Sequence, residues 1–281
     1  MLSTGLAGMD VSSMSLRAIP ESMDAGIVGS IDARLDDLER DQGVRIPWAI
    51  ESGSRAWGFP SPDSDYDCRF FYVRSRAEYA SLWRPRDVIE TPLDAVFDVN
   101  GWDLAKALRL LAGGNATVVE WLRSPIIYRG DPVFRQELLA LSAEVLDPVR
   151  IGRHYLHVGK QHLAQLSGGA PLKRLFYALR PALTVRWLRV HDGQAPVPPM
   201  DLQSLLAEGQ CSTPVTAAIL DLVADKAVTR ELGTGAFPRG VLAFIGDELD
   251  AAATRYAGRE TAPTAIARAA AEEFFKQIIS T

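Results

Sequence analysis

Two apolar runs joined by a small-residue turn and a polar loop constrain the fold of this 281-residue chain most. Residues 44–51 have the composition of a buried strand, which ends at Ser52-Gly53-Ser54. A loop rich in Pro, Ser and Asp follows, and residues 66–74 (YDCRFFYVR) are predicted to form a second strand. The first part of the chain is therefore expected to contain a sheet.

The elements around these strands complete an α+β unit. Apolar residues at helical spacing predict an amphipathic helix over residues 27–41. Shorter strands are expected at 88–91 and 95–99, with a turn at Asn100-Gly101. Residues 1–24 follow no period and are interpreted as a loosely held tail.

From Trp102 onward the pattern is helical, so we expect an all-α part after the sheet. Capping residues, glycine stops and N-terminal prolines mark the ends of the helices. The predicted helices are 103–111, 115–123, 132–144, 149–165, 171–190, 202–208, 214–231 and 238–256. The prediction is an α+β domain at 25–128 and a helical domain at 129–281.

Composition excludes several classes of protein. With 47% hydrophobic and 23% charged residues, the chain is neither disordered nor collagen-like. Two cysteines, Cys68 and Cys211, cannot build a disulfide framework, which favours a reducing compartment. The sequence has no apolar run long enough to cross a bilayer and no signal-peptide pattern. A cytoplasmic protein without membrane contact is expected.

The net charge of −5 conceals a basic segment at residues 148–191, which holds eight Lys or Arg residues, all four histidines and no acidic residue. A local cationic surface can hold an anion on an acidic protein. His154 and His157 lack a zinc-site pattern, and we interpret them as surface or phosphate-facing residues.

Gly53-Ser54 and the acidic pair Asp65 and Asp67 are the candidate chemical groups. A strand-to-helix turn directs backbone N–H groups at one point, where glycine lets a phosphate approach. Asp65 and Asp67 are two apart at the start of a strand, so both carboxylates project from one face, where they repel unless a cation lies between them. This arrangement suits Mg²⁺, but a solvated Asp-rich turn explains the acidic pair alone equally well.

The combination resembles the nucleotidyltransferases of the DNA polymerase β superfamily, whose signature is Gly-Ser followed by Asp-x-Asp. The similarity runs from about residue 50 to 188. It is carried by GSRAWGFPSPDSDYDCRF, FDVNGWDLAKALRLL, NATVVEWLRSPIIY and LKRLFYALRPALTVRWL. These strings are similar to the bacterial and phage RNA-ligase-associated predicted nucleotidyltransferases of that superfamily. The resemblance implies a polymerase-β-like head with a small mixed sheet, followed by the helical domain.

The resemblance also implies site roles. Gly53 and Ser54 would hold the triphosphate of an NTP, and Asp65 and Asp67 would bind Mg²⁺ or Mn²⁺, as two ions. A third carboxylate on a neighbouring strand would complete the metal site. The candidates are Asp98, Asp94, Glu90 and Asp103. Asp98 is preferred because it lies late in its strand, and Asp94 shares its face.

Five basic or aromatic residues are further candidates for nucleotide binding. Arg69 shares the face of Asp65 and Asp67, where it would neutralise a phosphate, orient Asp67 or form an ion pair that steadies the acidic pair. Arg55 meets phosphate or faces solvent. In the helix 171–190 a cationic and aromatic stripe carries Lys173, Tyr177 and Arg180, which either cradles the triphosphate and base or is a solvated helix face.

The expected activity is metal-dependent transfer of a nucleoside monophosphate from an NTP to an acceptor hydroxyl or phosphate. The family's association with RNA repair favours an RNA or tRNA end as acceptor. A protein hydroxyl, as in antitoxin-type AMPylating relatives, and a small molecule remain open. A nucleotide- or RNA-binding module without turnover is the alternative from another class.

Overall fold

A computed structural model describes residues 15–92, 96–166, 171–192, 197–229, 237–258 and 262–280. Its strands are β1 Leu16–Ala18, β2 Arg45–Glu51, β3 Tyr66–Val73, β4 Val88–Glu90, β5 Phe97–Asp103 and β6 Ile127–Gly130. They form one sheet in the order β1-β6-β2-β3-β5-β4. β3 and β5 run parallel and the other neighbours antiparallel, so the sheet is mixed.

The described part of the chain also contains twelve helices. They are α1 Ala25–Gln42, α2 Gly53–Ala56, α3 Arg76–Tyr79, α4 Leu104–Ala112, α5 Thr117–Arg123, α6 Pro132–Val145, α7 Pro148–Leu163, α8 Lys173–Val190, α9 Leu202–Glu208, α10 Thr213–Val228, α11 Arg239–Arg255 and α12 Ala265–Ser280. Aspartate side chains cap the first turns of α1, α4, α6, α7 and α9. None of these helices is long and apolar enough to cross a membrane.

The sheet is covered on both faces. On one face α1 packs Val28, Ile31 and Leu35 against alternate residues of β2 and β3, such as Ala49 and Cys68. Because side chains alternate along a strand, the other face presents a different set. That set contains Trp48 and Phe71 and belongs to a core that continues through the helices to Ile278. The sheet and the later helices therefore share one hydrophobic core.

The division into a tail and two domains stays a prediction, although two strands of the sheet extend beyond residues 25–128. β1, inside the segment interpreted as a loose tail, pairs with β6 at the edge of the sheet. β6 extends past residue 128 and pairs with β2, so the chain leaves the sheet from an interior strand. β1, β6 and α12 were not predicted. Both strands are very short, and half of the buried face of α12 is alanine, whose small side chain marks an apolar stripe only weakly.

The predicted turn at Asn100-Gly101 is wrong, because β5 continues through both residues. They pair in parallel with Arg69 and Phe70 of β3. Gly101 lies under the ring of Phe70, where any Cβ would clash with the aromatic carbons. The glycine therefore serves close packing inside the sheet, and α4 begins only after its N-cap, Asp103.

α7 and α8, the two helices of the basic segment, pack as an antiparallel pair. Gly159 of α7 lies against Pro181 of α8, and the ring of His162 stacks on Tyr177 at a centroid distance of 5.6 Å. The later residue of α7, His162, contacts the earlier residue of α8, Tyr177, so the two helices run in opposite directions. α8 thereby carries its first turns past the loop that precedes β3.

Candidate active site

The turn after β2 is shaped by Gly53. Its φ of +62° lies in the left-handed region, which glycine adopts without the steric cost of a side chain. The backbone N–H of Ser52 donates to the carbonyl of Asp67 at 2.8 Å, which ties the turn to the next strand. A Cβ on Gly53 would overlap the Asp67 carboxylate. The turn thus places backbone directly over this carboxylate.

Three hydroxyl groups join the turn to the loop before β3. Ser54 Oγ donates to Ser64 Oγ at 2.9 Å, and Ser61 Oγ lies 2.9 Å from the same oxygen. Arg55 does not face bulk solvent alone: its guanidinium donates to the carbonyls of Ser64 at 2.6 Å and Asp65 at 3.2 Å. Ser54 and Arg55 therefore hold the shape of the loop that delivers the acidic pair.

Asp67 and Asp98 lie side by side on neighbouring strands. They are register partners in the parallel pair β3 and β5. Asp65 is exposed and precedes the first residue of β3, yet its charge reaches Asp67. Burial raises the pKa of Asp67, Arg69 lowers it, and the charges of Asp98 and Asp65 raise it further. Negative charge is thus concentrated where the sequence predicts a cation.

Arg69 supplies positive charge at this point. Its Nη2 donates to Asp67 Oδ1 at 3.1 Å and to Asp98 Oδ2 at 2.8 Å. The second oxygen of Asp98 accepts a hydrogen bond from the Asn100 amide at 2.6 Å. Of the roles considered for Arg69, the ion pair that steadies the carboxylates is the one that this structure contains.

The other candidates for the third carboxylate lie elsewhere. Glu90 is exposed on β4 and pairs with Arg86. Asp103 is buried, caps α4 and accepts a hydrogen bond from the Tyr79 hydroxyl at 3.1 Å. Asp94 lies outside the described residues. Asp98 is therefore the candidate whose carboxylate the fold brings next to Asp67.

The donor chemistry fits a hard divalent cation that arrives with a nucleotide. Within the part of the chain that the structure describes, no group of three His, Cys, Asp or Glu side chains converges on one metal position. Mg²⁺ needs fewer protein ligands, because it is commonly bound by one or two carboxylates together with substrate phosphates. Asp67 and Asp98 supply two adjacent carboxylates, with Asp65 nearby. A metal ion there would compete with the guanidinium of Arg69.

The buried carboxyl group of Glu51 holds the backbone of Asp67 by a hydrogen bond. Glu51, the last residue of β2, accepts the backbone N–H of Asp67 at 2.9 Å and the Tyr128 hydroxyl at 2.5 Å. Burial raises the pKa of Glu51 to about 7, although both hydrogen bonds act in the opposite direction. Sequence patterns did not indicate this role, because Tyr128 belongs to the unpredicted strand β6.

The first turns of α8 face the carboxylates. Burial and the charges of Asp67 and Asp65 raise the pKa of Tyr177, which places its hydroxyl in their field. Tyr177 also packs edge-on against Trp57, at a centroid distance of 6.0 Å. Lys173, one turn earlier, is exposed. Tyr177 therefore lies near the acidic pair, and the exposed Lys173 lies one helical turn from it along α8.

Lys226 of α10 is a functional candidate that the sequence analysis missed. Its ammonium is buried and donates to the carbonyl of Phe59 at 2.7 Å and to Ser61 Oγ at 3.4 Å. Burial lowers the pKa of Lys226 to about 8; Asp63 raises it, while Lys173 and Arg55 lower it. Lys226 therefore forms one cationic group with Lys173 and Arg55. This group lies beside the serine cluster, which consists of Ser54, Ser61 and Ser64.

Arg180 corrects the interpretation of α8 as one wet stripe. It is buried, and its Nη1 donates to Glu120 Oε1 at 2.8 Å, which also accepts from the Tyr155 hydroxyl. Its guanidinium also lies 4.4 Å from the ring centroid of Trp57. Thr184 and Trp187, four and seven residues after Arg180 on the same helix face, are buried too. Arg180 points to Glu120 of α5, and Trp187 donates to Glu208 of α9 at 2.7 Å, so this part of the helix face lies in the interior.

Comparison with known proteins agrees with this geometry. Residues 27–277 match the model of the RlaP family, described as the RNA repair pathway DNA polymerase beta family. The chain is also similar to the uncharacterized protein YcgL of Bacillus subtilis (strain 168), with 37% identity over 218 residues, which are 77% of this chain and 83% of that protein. The family match includes the Gly53 turn, both carboxylate strands and α8. The resemblance seen in the motifs is thereby confirmed: the chain belongs to the RNA repair pathway DNA polymerase beta family.

Proposed function

We propose that this protein transfers a nucleoside monophosphate from an NTP to an acceptor hydroxyl. One arrangement of three residues carries the proposal: the Gly53 turn lies directly over the Asp67 carboxylate, and Asp98 is the register partner of Asp67. A turn with free backbone N–H groups beside paired carboxylates serves a reaction in which phosphate and metal meet.

The triphosphate would bind at the Gly53 turn. The Ser54 hydroxyl belongs to the serine cluster beside this turn. Lys173, Lys226 and Arg55 concentrate positive charge around the cluster. Fixed cations and backbone donors bind phosphate oxygens and neutralise the charge that builds up on the leaving pyrophosphate. These residues would hold the β and γ phosphates, so that the α phosphorus lies near the carboxylates.

Mg²⁺ or Mn²⁺, bound by Asp67 and Asp98 with Asp65 nearby, would supply Lewis-acid stabilisation of the phosphate charge. The chain's own residues position the reactants. The acceptor oxygen attacks the α phosphorus, the bond from that phosphorus to the bridging oxygen breaks, and pyrophosphate leaves. The acceptor proton passes to the carboxylate of Asp98. The attacking and leaving oxygens lie roughly in line in such transfers.

A second candidate function is nucleotide or RNA binding without turnover. The ion pairs of Arg69 favour it, because they neutralise Asp67 and Asp98 without a metal. In an NMP-transferring enzyme, the guanidinium of Arg69 must instead release the carboxylate oxygens of Asp67 and Asp98 when the metal-bound nucleotide binds. Transfer of label separates the two functions.

The test is incubation with each α-labelled NTP, Mg²⁺ or Mn²⁺, and bulk RNA, protein or small-molecule acceptors. We expect label to move to an acceptor, with loss of at least about a hundredfold in Asp67→Asn. Asp37→Asn, on the exposed face of α1, is the matched control and should retain activity. Absence of transfer to every acceptor, with unchanged NTP affinity in Asp67→Asn, would leave only the binding function.

A further inference from the structure

A cavity of about 580 Å³ lies between α4 and α12. One wall is the face of α4 that carries Ala105, Leu108 and Ala112. Residues three and four apart lie on the same face of a helix, so this wall is continuous over two turns. α12 supplies the opposite wall through residues at the same kind of spacing, which are Arg268, Ala271, Glu272 and Phe275.

This cavity is separate from the candidate active site. Tyr79, which lines the cavity, donates its hydroxyl to Asp103, the last residue of β5. Asp98 is the second residue of the same strand, about 17 Å away at the rise of a β-strand. Of the described residues that line the cavity, none is a candidate residue of the active site. A ligand between α4 and α12 would therefore leave the carboxylates free.

An aromatic pair gives the cavity an apolar surface. The rings of Tyr79 and Phe275 meet edge to face at a centroid distance of 4.9 Å. The Tyr79 hydroxyl also accepts the backbone N–H of Arg74 at 3.1 Å, so its polar end is already hydrogen-bonded and its ring is held in place. Alanines on both helices leave space between the walls. A flat apolar body fits such a cavity, whose volume is typical of small-molecule sites.

Arginine side chains give the cavity positive charge. Arg84 and Arg268 line it and are exposed, and within the described residues neither guanidinium has a hydrogen-bond or ion-pair partner. Arg109 also lines the cavity, but it donates to the Asp87 carboxylate at 3.0 Å. The case for an anionic ligand therefore depends on Arg84 and Arg268.

Glu272 is the acidic residue among the described residues that line the cavity. Its carboxylate lies 3.6 Å from the ammonium of Lys276, one turn later on α12. Arg268, one turn earlier, forms no ion pair with Glu272 in the described structure. Two arginines without an acidic partner thus remain beside an apolar cavity, which favours a ligand that is both apolar and anionic.

We propose that this cavity binds a small organic anion, with a flat apolar body between α4 and α12 and a carboxylate or phosphate group at Arg84 and Arg268. A guanidinium group presents its donors in a planar fork that matches the oxygens of either head group. The ligand would contact Tyr79, which joins the end of β5 to the residue after β3. This site does not depend on the proposed function.

Two fluorescent probes test the site by binding alone. 8-Anilinonaphthalene-1-sulfonate carries flat apolar rings and one sulfonate, and N-phenyl-1-naphthylamine has the same rings without the charged group. Both fluoresce more strongly on apolar surfaces than in water. We expect the sulfonate probe to bind the folded protein at one site, about tenfold more tightly than the uncharged probe, because two exposed charge contacts together contribute about this much.

Two double variants test the charge. Arg84→Gln combined with Arg268→Gln should weaken the sulfonate probe about tenfold and leave the uncharged probe within about twofold. Arg45→Gln combined with Arg239→Gln is the matched control, because it removes the same charge from exposed positions outside the cavity. The control should preserve the affinity for both probes. Equal affinity of the wild-type protein for the two probes, or equal effects of the two double variants, would overturn the proposal.

Two cavity-filling variants locate the probe. Ala105→Phe fills part of the cavity and should weaken both probes. Val158→Phe fills a different cavity, lined by α5, α7 and α8, and should weaken neither. Thermal unfolding without probe confirms that each variant is folded. Probe binding that Val158→Phe removes and Ala105→Phe preserves would place the probe elsewhere and overturn the proposal.

Competition with the sulfonate probe identifies the head group. 1-Naphthoate and 1-naphthyl phosphate carry the two candidate groups on one ring system, and 1-naphthol carries neither charge. We expect at least one of the two anions to displace the probe at a concentration about tenfold lower than 1-naphthol needs. Displacement by either anion supports the site and names its head group. Displacement by 1-naphthol at the same concentration as both anions would overturn it.

Discussion

Gly53 and Asp67 occupy one small volume at the turn after β2, because the glycine leaves the space that the carboxylate fills. The same turn is tied to the backbone of Asp67 through Ser52. The backbone of Gly53 limits where the Asp67 carboxylate can lie, in addition to the hydrogen bond that Arg69 donates to this carboxylate. The position of this carboxylate therefore depends on a residue that has no functional group.

Gly53→Ala should abolish nucleotidyl transfer while most of the fold survives. The new Cβ displaces the Asp67 carboxylate, and the left-handed backbone costs a further 1 to 2 kcal/mol, approximately. Gly43→Ala is the matched control, because its φ of +61° imposes the same backbone cost but its Cβ meets no neighbour. Label transfer and thermal unfolding measured together test this. Equal loss of activity in both variants would show that the backbone strain alone is responsible.

Arg69→Gln should increase the affinity for Mn²⁺ in the absence of nucleotide. The guanidinium competes with the metal for Asp67 and Asp98, and without it two carboxylates face each other unneutralised. Titration calorimetry with Mn²⁺ measures the affinity, and we expect an increase of about tenfold or more. Arg69→Gln combined with Asp98→Asn should lose the gain. An unchanged affinity would mean that metal and guanidinium do not share these oxygens.

Lys226→Met should weaken NTP binding about tenfold, which corresponds to roughly 1.4 kcal/mol. The ammonium holds the carbonyl of Phe59 and contributes positive charge beside the serine cluster. The KM for NTP in label transfer is the measurement. The control is Lys106→Met on α4, which removes an ammonium group that lies 3.7 Å from the Asp87 carboxylate and should leave KM unchanged. If both variants behave alike, Lys226 has no specific role at the site.

Glu120→Ala should destabilise the protein by about 3 to 5 kcal/mol, because Arg180 would remain buried without its carboxylate partner. The double variant Glu120→Ala with Arg180→Met should recover much of this loss, since no buried charge is left unpaired. Chemical denaturation measures the free energy of unfolding. Arg180→Met with normal stability and a large loss of NTP affinity would instead support the nucleotide-binding role predicted from sequence.

The free energy of unfolding should fall as pH rises from about 4.5 to about 7, because of Glu51. The folded protein keeps this carboxyl protonated up to about pH 7, whereas the unfolded chain loses the proton near 4.5, so unfolding releases a proton between these values. Glu51→Gln should flatten this slope, seen in thermal unfolding at a series of pH values. Glu78→Gln should not, because hydrogen bonds from Ser75 lower the pKa of Glu78. A slope unchanged in Glu51→Gln would contradict the raised pKa.

The motif of Gly53-Ser54 and the acidic pair could be recognised from the sequence because its residues lie close together along the chain. The Gly53 turn follows β2, and Asp67 is the second residue of β3, the next strand along the chain. Strand alternation then predicts the shared face of Asp67 and Arg69. Helix ends were predictable for the same reason, since Asp131 and Asp147 cap the residues that follow them directly. Asp98 was chosen by its place in a strand, although the turn predicted after it does not exist.

Pairing between distant segments could not be read from the sequence. Arg180 has the pattern of a wet helix face, but Glu120, 60 residues earlier, draws it inside. Lys226 lies 165 residues from the serine that it contacts, and no local spacing connects the two. Parallel pairing with β3 likewise converts Asn100-Gly101 from a plausible turn into continuous strand.

The interior position of β6 sets the order in which the chain can assemble during synthesis. β2 gains its neighbour on that side only after residue 130 has left the ribosome, although β1 was made more than 100 residues earlier. Asp67 and Asp98 are made before the helices that face them, and Lys226 comes later still. During synthesis these acidic groups therefore emerge before α8 and α10, and the candidate active site is among the last parts of the fold to be completed.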